Sequence, residues 1–125
     1  MPRLPKAVRD AWEKRSGPAV FATVSDGSVP NAIYVTCLGL YDESTVVVAD
    51  NYFDKTRRNI LAGSRGSLLF MTEDHKTYQI KGTVTRHTSG PIYDHMKSWN
   101  PKEHPGHAAA ALAVEEVYSG AEKLL

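Results

Sequence analysis

The residues with the clearest chemical potential cluster in the stretch DNYFDKTRRNILAGSRG, residues 50–66. Lys55, Thr56, Arg57 and Arg58 stand where a β-branched run, STVVVAD, gives way to a short helical pattern. Cationic side chains, a hydroxyl and the free N–H groups of a helix start are the donors that a phosphate needs, and the helix dipole favours negative charge there. Asp54 is placed to cap this helix, and Ile60 and Leu61 offer it one apolar side. On the residues alone the stretch reads either as a solvated helix end or as an anion seat. The glycine-rich words of the common nucleotide folds, GxxxxGK[ST] and GxGxxG, do not occur.

Other groupings are weaker. The five histidines, His75, His87, His95, His104 and His107, are scattered, and HPGH sets two imidazoles across a turn. With a single cysteine they do not make a zinc ligand set, and they read as surface groups or turn hydrogen-bonders. No serine lies in a GxSxG word. Cys37, within YVTCLGL, reads as a small buried hydrophobe that has no disulfide partner, which suits a reducing cytoplasm.

The elements that must position these residues can be read from periodicity. Val8, Ala11 and Trp12 share one face of a helix over 5–15, opened near Pro5 and ended by Gly17 and Pro18. Residues 19 to about 41 read as two strands around a turn at Asp26-Gly27, the second continuing to Tyr41. STVVVAD is apolar without alternation, as expected of a strand covered on both faces. After the 50–66 stretch, with Gly63 as helix stop, GSLLFMTE and KTYQIKGTVTRHT read as strands. In the latter Tyr78, Ile80, Gly82 and Val84 face one way and Gln79, Lys81, Thr83 and Thr85 the other. GPIYDHMKSWN reads as a helix opened by Pro91 and stopped by Pro101, with Tyr93, Met96 and Trp99 as core or subunit contacts. HAAAALAVEEVYSGA is rich in helix formers, yet its Leu112, Val114 and Glu116 alternate with Ala113, Glu115 and Val117, and we read it as a strand.

A chain of 125 residues, 42% hydrophobic and 23% charged, suits one domain over 1–125. The net charge of +1 supplies no field for nucleic acid or an anionic membrane. No apolar run approaches the roughly 18 residues of a membrane span, and the charged N-terminus lacks the apolar centre of a signal peptide. A cytoplasmic location is expected.

The succession VPNAIYVT, VVVAD, DKTRRNI, GSLLFMTED, from about Ala19 through Thr85, resembles the FMN-binding split-barrel family related to pyridoxamine phosphate oxidase. The tail LAVEEVYSGAE is similar to that family's last strand. The resemblance implies a mainly β fold, a six-stranded antiparallel split β-barrel with two or three short flanking helices. It further implies a homodimer with FMN at the interface. Carried over by position, Lys55 and Thr56 contact the FMN phosphate, helped by Arg57 or Arg58. Ile33, Tyr34, Val35 and Thr36 lie along the flavin ring, mostly through backbone groups, while Ala49 and Asp50 flank the ring or ribityl chain. Gln79 and Lys81 reach a flavin across the interface, and Trp99 is a candidate lid over the partner's ring. The basic substrate-binding end of the longer oxidases has no counterpart, so oxidation of pyridoxamine phosphate is not expected. The implied role is a flavin oxidoreductase fed by a reduced nicotinamide or a redox partner protein. A non-enzymatic FMN carrier, or a barrel binding a deazaflavin or haem, are the alternatives.

Overall fold

The computed structural model describes residues 2–125. The described elements run α1 (Lys6–Trp12), β1 (Ala19–Val24), β2 (Pro30–Val35), β3 (Leu38–Asp42), β4 (Thr45–Asp50), α2 (Lys55–Leu61), β5 (Arg65–Met71), β6 (Thr77–His87), α3 (Pro91–Trp99), β7 (Ala108–Ser119) and the two-residue β8 (Glu122–Lys123). All strands pair antiparallel in one sheet of order β2-β1-β5-β6-β7-β4-β3, with β8 added to β7. This is an antiparallel split β-barrel, with seven principal strands where the sequence suggests about six.

The extra strand arises from one correction. The run expected to continue from residue 30 to Tyr41 as a single strand is two strands, broken at Thr36 and Cys37. β2 pairs with β1, whereas β3 pairs with β4 at the far end of the sheet order. Across the break the chain exchanges one hydrogen-bonding neighbour for another, and no glycine, proline or positive-φ residue marks the change.

Burial explains the strand patterns. β1, β5 and β6 alternate and fill the barrel with Phe21, Leu68, Phe70 and Ile80. β4 is buried along its whole length. Its Val46 and Val48 face this core, while Val47 and Ala49 lie in a second cluster with Ala109 and Met96 of α3. A strand covered by core on one side and helix on the other has no solvent face, hence no alternation. The same sandwiching makes β7 a strand despite its alanines: Ala110 and Leu112 enter the barrel, and Ala109 fits under α3. At one end Val8, Ala11 and Trp12 of α1 join the core, with Trp12 edge-on to Phe70 at 5.3 Å between centroids.

α2 departs from its expected apolar docking. Ile60 is buried but Leu61 is 66% exposed, and Thr56 and Asn59 are buried beside Ile60. The Asp54 side chain makes no cap; its carboxylate accepts from Arg58 at 3.3 Å instead. The C-terminus does follow its glycine. The Gly63 N–H donates to the Ile60 carbonyl at 3.0 Å and the Ser64 N–H to that of Asn59 at 2.9 Å, closing a Schellman motif around Gly63 at φ +92°.

A bulge lets β6 and β7 curl. Lys81 pairs with Glu116 and Gly82 with Val114, leaving Glu115 as the extra residue. A Cβ on Gly82 would sit 1.7 Å from the Ala113 carbonyl oxygen. Gly82→Ala should therefore destabilise the fold by about 3 kcal/mol or more, the upper end of overpacking costs, because backbone must move. Gly120→Ala, at φ +57° with open space around it, should lose only about 1–2 kcal/mol. Denaturant unfolding of the two variants checks the contrast.

Candidate functional site

Two polar bridges seat α2 on the sheet. The Asn31 side-chain amide donates to Thr56 Oγ1 at 3.1 Å, and that of Asn59 donates to Thr23 Oγ1 at 3.0 Å. They turn the buried face of α2 toward β1 and β2 and leave Lys55 and Arg58 exposed. Lys55, Arg58 and Asn31 line a cleft of about 580 Å³ beside the β1–β2 turn.

Asp50, at the end of β4, points into the structure with its side chain 3% exposed. Both carboxylate oxygens are engaged by Arg57: Nε donates to Oδ2 at 2.7 Å and a terminal nitrogen to Oδ1 at 2.8 Å. The Phe53 N–H also donates to Oδ1 at 3.2 Å, and an Arg86 nitrogen stands 4.0 Å from Oδ2. The pairing with Asp50 raises the Arg57 pKa above its ordinary value, chiefly through the side-chain hydrogen bond. Asp50 thus fixes the chain between β4 and α2, and Arg57 is committed to it.

A second cleft, about 320 Å³, opens at the split itself. Ile33, Tyr34, Val35 and Thr36 line it along β2, and Ala49 lines it from β4. Those five are among the six expected along or beside a ring; the sixth, Asp50, does not line the cleft but points inward to Arg57. Joining them are Cys37, Asn51, Tyr52, Phe53 and His104. Apolar walls with few polar groups suit a planar ligand, and Tyr34 and Tyr52, 78% and 72% exposed, offer aromatic surface at its mouth.

The remaining expected residues lie elsewhere. Gln79 and Lys81 sit on the outer sheet face, where Gln79 Nε2 donates to Ser67 Oγ at 3.0 Å and Lys81 lies over the Tyr118 ring. They line a depression with Arg65 and Glu116, apart from the cleft at the split. Trp99 packs its indole on Gly39, and its edge meets His95. It borders a further cleft of about 300 Å³ that shares Thr36 and Cys37 with the one at the split. Among the described residues no group of three His, Cys, Asp or Glu side chains is placed to hold a metal ion. No helix among them is long and apolar enough to cross a membrane.

Asn51, Tyr52 and Phe53 went unread although they lie inside the 50–66 stretch; a strand followed directly by Asn-Tyr-Phe was their only signal. His104 reads as a turn imidazole in HPGH, but nothing local connects it to this cleft, which it reaches from more than fifty residues away.

The fold is an antiparallel split β-barrel with a cleft at the split and a second, cation-lined cleft toward the other end of β2. The family profile of pyridoxamine 5'-phosphate oxidase matches residues 4–120, and the chain belongs to that family. HupZ of Group A Streptococcus is similar over 93% of each chain, at 24% identity and a TM-score of 0.80. A putative pyridoxamine 5'-phosphate oxidase from Lactobacillus delbrueckii also covers 93% of each chain, at 19% identity and TM-score 0.77. An FMN-binding protein from Syntrophomonas wolfei aligns at 16% identity and TM-score 0.73, over 91% of this chain and 95% of its own. No curated protein matches. At these identities the solved structures establish the fold.

The two arginines of α2 should differ sharply on substitution. Arg57→Ala leaves a buried carboxylate with only the Phe53 N–H and the more distant Arg86, and should cost about 3–5 kcal/mol of stability. Arg58→Ala removes an exposed pair with Asp54 and should cost less than about 1 kcal/mol. Thermal and denaturant unfolding measure both.

Proposed function

We propose that the chain binds FMN at the split of its barrel, acts as a homodimer, and serves as a flavin oxidoreductase. The observation that carries this reading is convergence: Ile33, Tyr34, Val35, Thr36 and Ala49 line one cleft, and β2 connects it, through Asn31, to the exposed Lys55 and Arg58. The residues fit the group. The apolar cleft accepts a flat ring, and the cations lie toward the other end of β2, where a phosphate needs them. Lys55 and Arg58 supply charge to that phosphate, and Thr56, itself buried, holds Asn31 in place beside it. Bound FMN supplies the redox chemistry, taking electrons from a reduced nicotinamide or a protein donor and passing them to an acceptor. The chain anchors the group, shields one ring face with Val35, Ala49 and Phe53, and answers the Asp50 charge through Arg57.

The homodimer is favoured by an apolar row on the outer sheet face. Tyr34, Val20 and Leu69 lie side by side across β2, β1 and β5, next to Ala32 and Ala22. Tyr34 and Leu69 are exposed in the single chain. The row ends at Gln79, paired with Leu69 across β5 and β6. A second copy packed here is the route by which Gln79 and Lys81 reach a ring they cannot reach in their own chain. Tyr34→Glu combined with Leu69→Glu should convert a dimer to a monomer in sedimentation or light scattering. Unchanged mass would remove this face from the interface.

The cofactor is tested by the absorption spectrum of the purified protein before and after FMN titration. Flavin bands that stay through gel filtration at about one per chain are expected; a deazaflavin or Soret spectrum would replace FMN with that group. Steady-state oxidation of a reduced nicotinamide separates an enzyme from a carrier of electrons. Lys55→Ala should weaken FMN roughly tenfold, the lower end of the ~1.5–3 kcal/mol range for charge-assisted bonds because Lys55 is exposed. Riboflavin, without the phosphate, should bind wild type and Lys55→Ala alike.

A further inference from the structure

The loop from α3 to β7 is fastened at both ends by one buried side chain, Asn51. Asn51 and Asn100 exchange amide hydrogen bonds, Asn51 Nδ2 donating at 3.0 Å and Asn100 Nδ2 donating back at 2.8 Å. The Gly106 N–H donates to the same Asn51 oxygen at 2.9 Å. Lys97 Nζ donates to the Pro105 carbonyl at 2.9 Å, and the His104 N–H to that of Pro101 at 3.0 Å. A loop held so firmly brings one of its side chains to the cleft at the split: His104.

The His104 ring is itself oriented. Its Nδ1 lies 3.1 Å from the Tyr52 hydroxyl, and the two rings meet edge to face, 5.5 Å apart at 87°. A phenol that donates to Nδ1 leaves the hydrogen of a neutral imidazole on Nε2. Tyr52 is 72% exposed, so the bond adds little to the fold compared with the buried Asn51–Asn100 pair. With the phenol as donor, the pair places the Nε2–H tautomer in an otherwise mainly apolar cleft.

We infer that His104, its tautomer set by Tyr52, donates a hydrogen bond from Nε2 to a carbonyl or ring-nitrogen acceptor of a planar heteroaromatic ligand in this cleft. Tyr52 and Asn51 are positioning residues: one fixes the ring, the other the loop that carries it. The inference rests on the reading of the cleft as a flavin site, which supplies the ligand class.

FMN and riboflavin are titrated into wild type, His104→Ala, His104→Gln and Tyr52→Phe, with affinity and the carbonyl stretches of the bound flavin as readouts. His104→Ala should weaken both flavins by the same factor, about five- to tenfold for one lost hydrogen bond, and shift a flavin carbonyl stretch to higher frequency. His104→Gln, which keeps a donor, should recover part of both effects. Tyr52→Phe should change the ring ¹⁵N shifts of His104 toward a mixture of tautomers and weaken binding less. It removes only an exposed hydroxyl, so it carries the test even if His104→Ala fails to fold. A wild type that holds FMN, with His104→Ala or Tyr52→Phe matching it in affinity and in the spectrum, overturns the inference and leaves the cofactor reading standing. A wild type that takes up neither flavin overturns both.

Discussion

Barrel closure here depends on one run of chain, residues 30–42, that supplies both outer strands of the sheet order. β2 hydrogen-bonds to β1 and β3 to β4, so the two ends of the sheet are joined through covalent chain rather than by a ladder between them. The edge-strand problem of an open sheet is thereby reduced, at the cost of a gap where neither ladder runs. Thr36 and Cys37 occupy that gap, tied by the single bond from the Ala49 N–H to the Cys37 carbonyl at 3.0 Å. The cleft at the split and the cleft under Trp99 both include these two residues. The gap and the two clefts are consequences of the same exchange of partners.

The neighbouring elements are held by polar contacts that apolar packing could not replace. α2 has seven residues, too few to be stable alone. Ile60 is its main apolar anchor, so the Asn31–Thr56 and Asn59–Thr23 bridges and the Asp50–Arg57 pair fix its rotation. Such contacts are directional, and a small rotation would lose them all. That directionality places Lys55 and Arg58 on the open side of β2, and it separates the two arginines into one bound to Asp50 and one free of it.

The sequence made much of this legible, and the failures have specific causes. Strands with one wet face announce themselves by alternation, as β6 does; β4, covered on both faces, was recognised by its absence, and β7 by alternation against alanine propensity. The break at Thr36 was invisible because an exchange of strand partners needs no glycine or proline, and none stands between Val35 and Leu38. Leu61 was misplaced because the buried side of α2 is mostly polar, which a hydrophobic pattern cannot reveal. At the site, Ile33 to Thr36 and Ala49 could be named through the family resemblance, which carries positions over along two continuous stretches of chain. Asp50 could be named but not understood, since its charge is answered by Arg57 and by Arg86 from a distant strand. His104 depends on Asn51 reaching across 49 residues to Asn100, a relation that no local pattern encodes.

The packing also dictates where a ligand can sit. The barrel interior is filled by Phe21, Leu68, Ile80 and Leu112, each essentially inaccessible, so a ring cannot enter it as ligands enter wider barrels. It must lie in the wall, and a wall of paired strands has its backbone donors and acceptors already committed to ladders. The backbone is available along the outward edges of β2 and β3, each of which has one neighbour in the sheet, and at Thr36, beyond the last β1–β2 pair of Ala19 with Val35 and before the first β3–β4 pair of Leu38 with Val48. A ring recognised mainly by main-chain groups would therefore lie along this edge, where Tyr52 and His104 also line the cleft.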